Sequence, residues 1–98
     1  MGAANAVYVD EYDRAREWAG RAIELEPENY LARYNAACAY AVMGTVDAAM
    51  KHLQHIYTNI PRARQWLLRL LAVDPQLVSL HGRPEFQELL RRLEAAAP

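Results

Sequence analysis

Apolar residues recur along the chain at three- and four-residue spacing, in stretches separated by proline, glycine or asparagine. Ala15, Trp18, Ala19, Ala22 and Ile23 mark one face of a helix over residues 10–26, which Pro27 ends. A second helix, residues 30–43, carries Leu31, Tyr34, Cys38, Ala41 and Val42, and Gly44 closes it as a residue that tolerates positive φ. A third starts at Thr45 or its neighbour with the stripe Val46, Ala49, Met50, Leu53, Ile56 and Tyr57, and stops near Pro61. The fourth, residues 61–73, contains Trp66, Leu67, Leu68, Leu70 and Leu71 and is therefore expected to be buried on more than one face. Pro75 ends it, residues 75–80 form a short turn or 3₁₀ piece, and Pro84 opens a last helix with Phe86, Leu89, Leu90 and Leu93 on one side. Residues 95–98 are expected to fray. Val/Ile/Thr alternation and Asn-Gly turns are missing, so the expected fold class is all-α.

Composition sharpens this picture only in part. With 98 residues, 53% apolar content and a net charge of −1, the chain suits one small domain of modest stability. No apolar run reaches the roughly 18 residues of a membrane span, and no secretory leader pattern is present. The expectation is a soluble, cytoplasmic protein with no membrane partner. Charge is unevenly distributed: residues 1–28 hold three arginines and seven acids, net −4, and residues 29–98 hold eight basic residues and five acids, net +3. Such asymmetry can orient one molecule or segment on the next. The arginines are scattered among acids, without a basic stripe, which argues against nucleic acid as a partner.

A shift of 34 residues superposes Tyr12 on Val46, Asp13 on Asp47, Ala15 on Ala49, Ala19 on Leu53, Ala22 on Ile56 and Pro27 on Pro61. Packing positions and punctuation are both kept. In residues 30–63 this unit carries Ala37, Tyr40, Gly44, Ala49, Leu53, Ile56 and Pro61, and so resembles the tetratricopeptide repeat family. Residues 1–29 then resemble a truncated unit, the end of a first helix followed by a second, with Asp10 where the turn glycine is common and Ile23 to Asn29 similar to the usual ending. Arg33 stands where the family often has a large aromatic. Residues 64–98 resemble an aborted third unit with a C-terminal capping helix. This tail is similar to the ends of repeat regions in bacterial multidomain signalling proteins, class III nucleotide cyclases and Ser/Thr kinases among them.

The resemblance implies one domain, a fragment of a helical-hairpin superhelix, whose concave side holds a protein or peptide partner. On that side Leu31, Tyr34, Asn35, Cys38 and Val42 cannot all face the core, and they are the candidate partner-binding residues. Asn35 falls where co-chaperone members of the family bind a peptide's backbone or carboxylate, but the flanking basic residues of that clamp are not aligned here. An incomplete first unit would also leave an apolar edge, Ala15, Trp18 and Ala22, free for self-association into a homodimer.

Catalytic chemistry finds no complete constellation. His52 and His55 at i and i+3 are two ligands of the four a zinc site uses, with no acid or thiol spaced to complete the set. Cys38, the one cysteine, sits on an apolar stripe where a free thiol packs as a small hydrophobe. Asp74, Glu85 and Glu88 read as turn and first-turn residues. No phosphate loop or nucleophile elbow occurs. The reading is a non-catalytic interaction module without metal, cofactor or small-molecule substrate.

Overall fold

The computed structural model describes the backbone of residues 2–96 and the side chains of residues 11–96. Among the described residues five α-helices follow one another, α1 (Gly2–Leu25), α2 (Tyr30–Val42), α3 (Val46–Asn59), α4 (Arg64–Val73) and α5 (Pro84–Ala96). Two 3₁₀ segments, Pro61–Ala63 and Pro75–Leu80, precede α4 and α5, and no strand occurs among the described residues. The fold is all-α.

Local chemistry sets the helix ends. The Asn29 side chain accepts the Ala32 N–H at 3.0 Å and so caps the start of α2. At the other end Gly44 adopts φ +84°, its N–H reaching the Ala41 carbonyl at 3.2 Å and the Thr45 N–H reaching the Tyr40 carbonyl at 2.8 Å. This Schellman pairing satisfies carbonyls that the end of a helix would leave orphaned, and the short connection folds α3 back beside α2. Asp74 caps the second 3₁₀ segment by accepting the Gln76 N–H at 2.9 Å. The Arg83 carbonyl accepts the N–H groups of Phe86 and Gln87, both at 3.1 Å, and Pro84 occupies the first turn of α5, where a missing N–H costs nothing.

α2 is the middle of the molecule because two of its faces are buried. Tyr34, Ala37, Cys38 and Ala41 join the main core with Leu53 and Ile56 of α3, Leu67 and Leu71 of α4, and Phe86 and Leu93 of α5. Ala32, Ala36 and Ala39 form a second buried stripe, outside that core, and α1 packs here with Ala19. Side chains this small let the two backbones approach closely. Leu77 and Leu80 of the second 3₁₀ segment are fully buried against the core. Each such burial contributes about 1.5–3 kcal/mol, so residues 75–80 are a core element and not a loose connection.

Two expectations change. The helix break at Asp10 is absent: α1 runs 24 residues without interruption, so the first-helix end and second helix expected over residues 1–29 are one helix. The sequence around residue 10 contains neither glycine nor proline, and nothing there stops an α-helix. Trp18, expected on the packing face of α1, is 58% exposed, while Ala19 beside it is fully buried. At about 1.5 Å per residue α1 is about 36 Å long. No described helix is both long and apolar enough to cross a membrane.

Candidate functional site

Two residues from each set singled out in the sequence, Asn35 and Cys38 with Ala15 and Trp18, meet in one place. A cleft of about 150 Å³ lies between α1 and α2, with Ala15 and Trp18 on one side and Asn35, Cys38 and Ala39 on the other. Tyr12 and Gln76 close its end, the Gln76 side-chain amide donating to the Tyr12 hydroxyl at 3.4 Å. The small alanines of the α1–α2 contact make room for it. Asn35 is exposed on the rim, and Leu31, one turn earlier on the same face of α2, is 54% exposed. Leu31 also borders a larger cleft of about 420 Å³ beside Trp66, so it lies between two concave regions.

Tyr34 lies away from this cleft, and Cys38 reaches it only with the little of its surface that is left open. They are only 5% and 4% exposed, and what covers this face of α2 is the chain's own segment that starts at Asp74. The Tyr34 hydroxyl donates to the Asp74 carboxylate in a short hydrogen bond, and the Cys38 thiol lies 3.8 Å from the same oxygen. One helical turn beyond Cys38, the Ser79 hydroxyl donates to the Ala41 carbonyl at 3.0 Å. The groove expected over Tyr34 and Cys38 is therefore occupied from within. Val42, at the end of the stripe, stays exposed, while Ala15 and Ala22 are half-buried along α1 and are not a free edge.

Electrostatics agree with burial. Loss of water and the Asp74 carboxylate push the Cys38 thiol up to about 12, so it is protonated and a poor nucleophile at neutral pH. The Tyr34 phenol is raised well above its ordinary value by the same burial and by Asp74. His52 is held below the usual imidazole range by burial, by Arg33 and by His55; its ring stacks on Tyr40 at 5.8 Å, and its Nδ1 is buried without a hydrogen-bond partner. His55 is shifted the same way by burial and Arg33. Among the described residues no three His, Cys, Asp or Glu side chains are placed to hold a metal ion.

A crevice of about 300 Å³ between α3 and α5 offers less, because its acids are engaged: Glu88 pairs with Arg91 and Arg92, and Glu85 lies 3.9 Å from Arg83. Two features escaped the sequence. Asp74 is legible as a turn residue, but its partners lie 36 and 40 residues away and no local pattern announces them. Trp66, read as one more apolar residue of a Leu-rich helix, stands between Tyr30 and Tyr34 with ring centroids at 5.0 and 5.2 Å, both edge-to-face. Compared with known proteins, the chain matches no family model, no curated protein and no solved structure.

Proposed function

We propose that the chain is a non-catalytic protein-interaction module of tetratricopeptide-repeat type, and that it docks a partner segment, or another domain of a parent protein, on the face shared by α1 and α2. The observation that carries this reading is Trp18, more than half exposed, facing the exposed Asn35 amide across a cleft, with Leu31, also more than half exposed, one turn from Asn35 on α2. Exposed large apolar side chains around a polar hydrogen-bonding group are what a rigid surface offers to an extended peptide. The 34-residue spacing and the α2–α3 hairpin closed at Gly44 support the repeat assignment. The burial of Cys38 against Asp74 supports a packing role for that thiol. On this reading the protein works in the cytoplasm and needs no cofactor.

Selection of a displayed random-peptide library against the full chain tests it. The expected result is a set of peptides whose binding is lost in Trp18→Ala and in Asn35→Ala and kept in Arg91→Ala. Peptides indifferent to Trp18 and Asn35, or no binders at all, would overturn the reading. A second function, self-association that dimerises an attached signalling enzyme, is favoured by one observation: Leu25 is 84% exposed two turns beyond Trp18, on the same side of α1. Light scattering over a concentration series tests this reading, since a dimer held by this face becomes a monomer in Trp18→Glu, and a wild-type monomer at every concentration excludes it.

A further inference from the structure

We infer that the cleft where α1 gives way to α2 receives an arginine side chain from a partner segment; the inference deepens the docking reading and rests on it. The cleft, about 420 Å³, is lined by Glu26, Glu28, Tyr30, Leu31, Trp66 and Arg62. Tyr30 and Trp66 meet edge-to-face at 65°, and Tyr34 braces the indole from the core side at 73°. The rings are thus fixed by packing while both Tyr30 and Trp66 remain only half-buried. A fixed aromatic face next to carboxylates is a receptor for a guanidinium, which is planar, weakly hydrated and attracted to the ring quadrupole.

The chain demonstrates this chemistry on itself. The Arg62 guanidinium lies 5.8 Å from the Tyr30 ring centroid and 3.5 Å from the Glu28 carboxylate. Both partners are mostly exposed, at 63% and 68%, so this pair is loose and displaceable. Glu26 takes part in no ion pair among the described residues. The lining sets two carboxylates against one arginine, a second guanidinium, that of Arg33, sits just behind it on the Pro27 carbonyl at 2.8 Å, and the exposed side of Leu31 gives an apolar wall for the three-carbon stem. The helix termini do not decide the sign of the ligand. The negative end of α1 favours a cation, the positive end of α2 favours an anion, and Asn29 already takes one of the α2 amides. Glu26, the carboxylate of the lining that no ion pair among the described residues engages, therefore decides it.

Arg62 makes the inference sharp, because removing it has opposite effects on the two possible ligand charges. The ¹⁵N-labelled full chain is titrated with N-acetyl-arginine amide, with its neutral isostere N-acetyl-citrulline amide, and with acetate, following the Trp66 indole N–H by NMR. A Trp18→Phe sample assigns the two indoles, and amide dispersion shows that each variant is folded. The arginine amide shifts Trp66 and leaves Trp18 unmoved, and the citrulline amide binds about fivefold more weakly. Arg62→Ala strengthens arginine-amide binding by vacating the site, and the double change Glu26→Gln, Glu28→Gln weakens it about fivefold or more. Equal binding of the citrulline amide, weakening in Arg62→Ala, or a larger response to acetate overturns the inference. Displayed peptides that bind through Trp18 and Asn35 without any arginine preference also overturn it, and they leave the docking reading intact. An arginine amide that behaves as stated when the library yields no binder upholds the cleft and overturns the docking reading.

Discussion

Asp74 holds three groups at once: it accepts the Tyr34 hydroxyl, lies 3.8 Å from the Cys38 thiol and caps its own 3₁₀ segment through the Gln76 N–H. A hydrogen bond to a charged acceptor contributes about 1.5–3 kcal/mol net. Tyr34→Phe and Asp74→Asn are each expected to lose about that much in urea denaturation, and the double variant to lose less than the sum, because the two act on one contact. Additive losses would show that the Tyr34–Asp74 bond contributes little. His52 supplies a pH dependence of defined sign. Burial, Arg33 and His55 hold its folded-state value below the ordinary 6.5, so the unfolded chain takes up this proton first as pH falls. Its contribution to stability is complete above about pH 6.5 and declines below it. Urea midpoints at about pH 7.5 and about pH 5.5 should therefore differ less in His52→Gln than in the wild type. At this scale the sequence was half legible. Cys38 as a buried small hydrophobe could be read from its stripe, whereas the burial of Tyr34 depends on a residue 40 positions away.

Punctuation by proline and glycine was legible at the scale of elements. Pro27, Gly44, Pro61, Pro75 and Pro84 stand at or beside the helix ends they predict, because each changes what the backbone itself can do. The boundary at Asp10 failed for the same reason: aspartate has an N–H and no need of positive φ, and the helix passes through it. The glycines give a paired test. An added Cβ would meet nothing within 4 Å at either Gly20 or Gly44, so neither substitution is decided by a clash. Gly44 has φ +84°, and alanine there should cost about 1–2 kcal/mol. Gly20 lies exposed inside α1, and alanine there should stabilise by about 0.5–1 kcal/mol. Thermal melts of the two variants are expected to move in opposite directions, and a shift of the same sign would contradict one of the two backbone conformations.

For the whole molecule, periodicity revealed which residues carry the candidate surface but not how they assemble. Trp18 and Asn35 were assigned to different roles, and only the docking of α1 on the alanine stripe of α2 puts them on one cleft. The charge asymmetry between residues 1–28 and residues 29–98 predicts how any self-association responds to salt. Head-to-tail contact between unlike ends should weaken as salt screens it. Pairing through Trp18 and Leu25 should persist and be abolished by Trp18→Glu, so light scattering in low and high salt separates the two. The covering of α2 by residues 74–80 bears, finally, on how fast the molecule opens. The α1–α2 and α2–α3 contacts join neighbours in the chain, whereas Tyr34–Asp74 and Ala41–Ser79 close loops of 40 and 38 residues. Loop closure of that length is reached late, after local helix pairing. Contacts made after the transition state govern the rate of unfolding and leave the rate of folding almost unchanged. Asp74→Asn should thus steepen nothing on the folding side of a stopped-flow chevron and raise its unfolding arm, making this one carboxylate a brake on escape from the native state.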